Sequence, residues 1–244
     1  MYWPLMIGNP KITCERSTCR RGRNVASLTV ENYVKAVYQI CASQDGRPAA
    51  TGQLATMLDV LPGTVTSMLK TLSQSRLATY TPYEGVELTD AGEKLALRVL
   101  RRHRLIELFL VETLGLTWDE VHEEAEKMEH AVSDFLVDRI DAYLDNPEFD
   151  PHGDPIPRSD GTIRASEGRS LAHCQTGDQF RLARVIDQSP EFLRFLTDTG
   201  LRIGAEGRVT QNRAVAGLVS VEVEGDTKNL GLEAAEKLVV TDLP

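Results

Sequence analysis

The order of local patterns between residues 27 and 98 constrains the fold more than any other feature of the chain. From Ser27 onward, Val30, Tyr33, Val34, Val37, Tyr38 and Ile40 recur at helical spacing until Gln44-Asp45-Gly46 breaks the pattern. Thr51 then reads as the N-cap of a short helix through Leu54, Ala55 and Leu58, and residues 60–63 turn the chain into a helix over 64–75. Residues 77–81 and 86–88 read as strands around Tyr83-Glu84-Gly85, and Thr89-Asp90-Ala91-Gly92 opens another helix. A helix, a helix-turn-helix pair, a hairpin and a capped helix in that order build a winged helix, whose second short helix enters a DNA major groove. On that helix Val65, Met68, Leu69 and Leu72 form the buried side, while Thr64, Thr66, Ser67 and Lys70 face base edges and phosphates. Thr51 and Gln53, at the start of the preceding helix, join them as candidate DNA contacts.

The formal charge of −9 is unevenly divided. Residues 1–104 carry 14 Lys and Arg against 8 Asp and Glu, residues 105–157 carry 2 against 15, and residues 158–244 carry 11 against 13. A basic first part suits a polyanion, and an acidic middle gathers cations. Where the two meet, two predicted helices carry metal-grade side chains: His103 and Glu107 over residues 92–110, then His122, Glu126, Glu129 and His130 over residues 119–144. Spacings of three and four put each set on one face, the second within an arc of roughly 100°. Imidazoles and carboxylates on one line hold a divalent cation in a helical bundle. Val121, Ala125, Met128, Val132, Phe135, Leu136 and Ile140 supply packing and a dimer seam, with Met128 and Phe135 assigned to the core.

At 244 residues the chain holds one large domain or two to three small ones. No apolar run approaches the ~20 residues that span a bilayer, and residues 1–10 lack the pattern of a signal peptide, so a cytoplasmic location is expected. Cys14, Cys19, Cys41 and Cys174 make no CxxC pair and are expected as reduced thiols. The arm over residues 1–26, with Arg16, Arg20, Arg21 and Arg23, is expected to be disordered.

Several words of the sequence occur in one order: Glu31-Asn32-Tyr33 with Val37-Tyr38, Pro62-Gly63-Thr64-Val65-Thr66, Leu88-Thr89-Asp90-Ala91-Gly92, Arg102-His103-Arg104-Leu105-Ile106-Glu107, Glu126-Lys127-Met128-Glu129-His130 and Pro151-His152-Gly153-Asp154-Pro155-Ile156-Pro157. By these words residues 27–157 resemble the diphtheria-toxin-repressor family of metal-dependent transcriptional repressors. The resemblance implies a winged-helix domain, a helical dimerisation domain with two metal sites, and an SH3-like domain of the kind found in ferrous-transport accessory proteins. Metal binding coupled to operator binding is implied as well. Carried over by position, the primary site would be Asn32, Glu126, Glu129 and His130, and the ancillary site His103, Glu107 and His122, completed from the C-terminal domain by Gln188 and Glu191 as the nearest matches. Position 32 is Asn where manganese sensors of the family tend to have Asp and iron sensors Met; position 126 is Glu where iron sensors tend to have Cys. Lys35 stands where short manganese sensors use Glu. Such a hard, oxygen-rich set favours Mn²⁺ first and Fe²⁺ next.

Residues 147–161, rich in proline and acidic at Glu148, Asp150 and Asp154, read as a linker passage. Beyond it Leu171, residues 180–186, 201–204, 218–223 and 238–240 read as short strands, with a short helix at 192–196, forming a small barrel similar to the family's SH3-like domain. The expected fold class is mostly α with small β parts. Its expected parts are a disordered basic arm 1–26, a winged helix-turn-helix DNA-binding domain 27–98, a helical metal-binding and dimerisation domain 99–157, a linker 158–170 and an SH3-like β-barrel domain 171–244. The expected function is a homodimeric repressor, gated by Mn²⁺ or Fe²⁺, that binds double-stranded operator DNA and has no catalysis, membrane contact or organic substrate. Without metal the acidic cluster is expected to repel itself and let the winged domains drift. A metal-dependent hydrolase is an alternative that would need an open coordination position beside a cleft, and no separate nucleophile or phosphate motif is present to support it. A regulator that senses an organic ligand is a third reading, separated from the first by a chelator.

Overall fold

The structure, a computed structural model, describes residues 25–165 and 167–243, so the basic arm lies outside the described residues up to residue 24. Helices α1 (Val25–Ser43), α2 (Thr51–Met57) and α3 (Pro62–Gln74) precede a hairpin of β1 (Ala78–Thr81) and β2 (Gly85–Leu88), paired antiparallel with Ala78 opposite Leu88. Thr51 is the first helical residue rather than the cap: Ala50 holds the extended N-cap position, and the Gln53 side chain accepts from the Ala50 N–H at 2.8 Å. Pro62 opens α3, where its missing N–H costs nothing. Ala49 bridges to Val86 and widens the wing. Tyr33, Val34, Leu54, Val65, Leu69 and Val86 close the core beneath.

The long helix α4 (Asp90–Leu114) starts at Thr89, whose Oγ1 accepts from Gly92 N at 3.3 Å, and ends at Gly115 in the left-handed conformation, φ 71°. Gly92 permits its seating, since a Cβ there would lie 1.9 Å from Leu77 O. This helix leaves the winged-helix core at Ala96 and enters a second core at Leu105 and Ile106. The single helix expected over 119–144 is broken in two, α5 (Val121–Met128) and α6 (Asp134–Tyr143). Ser133 causes the break: its backbone is extended and its hydroxyl accepts from Leu136 N at 3.2 Å, a new N-cap. The break turns Phe135 and Leu136 outward, 76% and 45% exposed, so Phe135 is not core.

Residues 147–157 are packed rather than a linker: Asp150, His152, Asp154 and Ile156 are all buried. Gly153 sits at φ 83° with an added Cβ only 2.0 Å from Ala183 O, and Val185 N donates to His152 O at 2.9 Å. The segment is thereby pinned between α4 and the C-terminal unit. That unit contains β3 (Arg169–Ser170), β4 (Gln179–Val185), α7 (Pro190–Thr199), β5 (Glu206–Arg213), β6 (Leu218–Val223), β7 (Asp226–Gly231), α8 (Leu232–Glu236) and β8 (Leu238–Asp242). Its strands form an antiparallel sheet in the order β3-β8-β4-β5-β6-β7, and among the described residues the pairing does not join β3 to β7. Residues 201–204 turn instead of pairing, while β5 and β7 were not expected. Phe180, Leu182, Leu193 and Val221 lie in its core.

Candidate metal centre and DNA interface

Helices α1, α4 and α5 converge on a cavity of about 420 Å³ lined by Asn32, Lys35, His103, Glu107, His122 and Glu126, with Asp150, Asp154 and Gln188 at its far wall. His103 is its hinge. Nδ1 lies 2.6 Å from Glu129 Oε2, while Nε2 lies 2.9 Å from Glu107 Oε1 and 3.2 Å from His122 Nδ1. Lys35, one helical turn beyond Asn32, donates to Glu126 Oε1 at 2.6 Å and Glu129 Oε1 at 2.8 Å.

Electrostatics follow from burial and these contacts. Burial pulls the His103 imidazolium down, but Glu107 and Glu129 outweigh it and push its pKa up to about 9. Burial raises Glu107 and Glu129, and the opposing pull of His103, with His122 at Glu107 and Lys35 at Glu129, leaves both below the usual carboxylate range. Lys35 and His103 thus offset part of the like-charge repulsion expected among the carboxylates of the cluster.

Several donors remain without hydrogen-bond partners, and they point to an ion. Asn32 Oδ1, Glu107 Oε2 and His152 Nδ1 are buried and unpartnered. His152 Nε2 lies 2.8 Å from the Trp118 carbonyl oxygen, to which it donates, and Nδ1 lies 3.8 Å from Glu107 Oε2. Among the described residues, three groups have ligand atoms close enough to share an ion: His103, Glu107 and His122; His103, Glu126 and Glu129; and Glu107, Asp150 and His152. Burial, with Asp154 and Glu107 nearby, raises the Asp150 carboxyl well above its ordinary range in the absence of an ion.

The structure places the expected ligands as follows. His103 faces both sets rather than one. His130 Nδ1 is 2.8 Å from Glu31 Oε2 and its Nε2 is 3.3 Å from Glu129 Oε1. Gln188 reaches Asp154 Oδ2 at 2.8 Å, bracing the segment instead of meeting Glu107, and Glu191 is exposed at the start of α7. Asp150 and His152, which the sequence reading left outside the candidate ligands, are buried within reach of Glu107. Their signal was the histidine between two acids in Asp150-Pro151-His152-Gly153-Asp154, hidden by proline content that suggested a linker.

On α3, Thr64, Ser67 and Lys70 are exposed on one side, with Thr66 half-buried and its hydroxyl donating to Pro62 O at 3.0 Å. Gln53 is engaged locally, its Nε2 donating to Gln44 Oε1 at 3.1 Å, and Thr51 is half-buried at the start of α2.

Family models match consecutive stretches: the iron dependent repressor N-terminal DNA binding domain over residues 27–86, the iron dependent repressor metal binding and dimerisation domain over 89–158, and the FeoA domain over 169–242. An uncharacterized HTH-type transcriptional regulator of Methanocaldococcus jannaschii is 37% identical over 119 residues, 49% of this chain and 94% of that protein. The chain belongs to the diphtheria-toxin-repressor family of metal-dependent transcriptional repressors. Another relative, the iron-dependent repressor IdeR of Mycobacterium tuberculosis, is 35% identical over 129 residues, 53% of this chain and 55% of its own length. Among solved structures, a manganese-dependent transcriptional repressor in complex with manganese superposes with a TM-score of 0.81 at 39% identity, covering 88% of this chain and all of that one.

Proposed function

We propose that this repressor binds operator DNA as a homodimer when Mn²⁺ or Fe²⁺ fills the cavity between α1, α4 and α5. One observation carries the reading: Asn32 of the DNA-binding unit lines the same cavity as Glu107, Glu126 and His103 of the helical unit, and its Oδ1 is buried without a hydrogen-bond partner. A bound dication supplies coordination that spans the two units. Asn32, Glu126, Glu129 and His130 would form one site, with His103 oriented by Glu129. Glu107, His103 and His122 would form the other, completed by His152 and Asp150 rather than by Gln188 or Glu191. Carboxylate, amide and imidazole donors suit a six-coordinate hard ion, so Mn²⁺ is placed first, Fe²⁺ second and tetrahedral Zn²⁺ last.

Thr64, Ser67 and Lys70 of α3 would meet the major groove, with Thr66, Thr51 and Gln53 at its margin. Exposed Phe135, Leu136 and Tyr143 on α6, with Leu114 ending α4, form the seam for a second copy. We read the C-terminal sheet as the family's SH3-like unit and assign it to bracing residues 150–154. No helix among the described residues is long and apolar enough to cross a membrane. The proposed DNA-bound role supports a cytoplasmic reading.

Metal analysis after EDTA dialysis, followed by gel shift on the protein's own promoter, tests this reading. The shift should vanish in EDTA and return with Mn²⁺ or Fe²⁺. Undiminished binding in EDTA contradicts it, and Mn²⁺-dependent phosphatase or esterase turnover would favour a hydrolase.

A further inference from the structure

We propose that Lys35 is a resident cation of the metal centre, holding Glu126 and Glu129 in the metal-free protein and withdrawing when an ion takes those carboxylates, so that residue 35 sets the metal concentration at which the protein responds. The inference rests on the metal-dependent reading above. Lys35 is only 7% exposed, and its ammonium contacts one oxygen of each carboxylate, at 2.6 and 2.8 Å. A buried ammonium is tolerable only with such partners, and a buried carboxylate pair only with such a cation. Glu129 is fully buried, so Lys35 and His103 are the cations its oxygens touch in closest contact.

The same lone pairs cannot serve two cations. An ion coordinated by Glu126 and Glu129 would stand within a few ångströms of the ammonium, in surroundings that screen charge poorly. Withdrawal has a route. The cavity wall includes Gln39, Met57 and Leu58, the Glu126 side chain is 34% exposed, and the four-carbon lysine stem is flexible. Lys35 lies on α1 and its partners belong to α5 and the turn after it, so the two units are bridged in both states, by an ammonium without metal and by the ion with it. Metal would then exchange one bridge for another of different geometry.

Full-length wild type, Lys35→Gln and Lys35→Met should be titrated with Mn²⁺ by calorimetry after EDTA treatment, with thermal unfolding followed with and without the ion. The variants should bind Mn²⁺ at least ten-fold tighter, unfold at lower temperature than wild type when metal-free, and gain more from Mn²⁺. Acetylation of the wild type, read on the Lys35 peptide by mass spectrometry, avoids any folding defect: Lys35 should be protected in EDTA and modified once Mn²⁺ is added. Equal Mn²⁺ affinity in the variants, or Lys35 still protected in the loaded wild type, overturns the proposal and leaves the metal-dependent reading standing. No Mn²⁺ binding by any of the proteins overturns that reading, and the inference with it.

Discussion

His103 of α4 stands 2.6 Å from Glu129, the fully buried carboxylate just past the end of α5, and so ties the two helices of the metal centre together before any ion is bound. Glu129 also receives the Lys35 ammonium. Glu129→Gln therefore removes a proposed metal ligand and leaves the buried Lys35 ammonium and the His103 imidazole short of a carboxylate partner. The metal-free variant should lose about 3 kcal/mol of unfolding free energy in urea, the usual scale for breaking a buried pair. An unchanged urea midpoint would show that the pair contributes nothing.

The same contact gives the metal-free protein a pH dependence. The folded pKa of His103 is about 9, above its ordinary value of 6.5. A group shifted upward contributes stability that is fully present below the unfolded value and is lost as pH rises through the folded one. In EDTA, unfolding free energy should therefore fall between pH 7 and 10, by at most about 3 kcal/mol. A flat profile, or the same fall in His103→Gln, would contradict the assignment.

The winged helix was legible because its signals are local: Gln44-Asp45-Gly46 ends α1, Pro62 opens α3 and Thr89 caps α4. The break at Ser133 was not, because apolar residues at Val132 and Ile140 keep a helical period across it. β5 and β7, reading Glu-Gly-Arg-Val-Thr-Gln-Asn-Arg and Asp-Thr-Lys-Asn-Leu-Gly, bury few side chains and offer no apolar alternation to detect. At the site, the ligand types on α4 and α5 follow from helical spacing. The roles of Lys35, Asp150 and His152 depend on partners far away in the chain: Lys35 looked like a lost ligand, and burial of Asp150 and Asp154 rests on Arg104, and of Asp154 also on Arg184.

Phe135 tests the dimer. It is 76% exposed within one copy, so Phe135→Glu should leave the fold intact and shift sedimentation from dimer toward monomer. A dimer of unaltered affinity would place the seam elsewhere.

Lys70 tests the DNA face. It is exposed on α3, and Lys70→Ala should weaken binding to every sequence while lowering the slope of log affinity against log salt by about 1, as loss of one phosphate contact does. A loss confined to one base position would instead make Lys70 a base reader.

The central claim is that an ion joining Asn32 to the helical unit gates DNA binding. Fluorescence anisotropy with labelled promoter DNA, in EDTA and at saturating Mn²⁺, measures it most directly when wild type and Asn32→Ala are compared. In wild type Mn²⁺ should tighten binding about 100-fold, a coupling of about 3 kcal/mol, and in Asn32→Ala most of that gain should disappear while the EDTA baseline stays the same. Equal tightening in both proteins, or none in wild type, would contradict it.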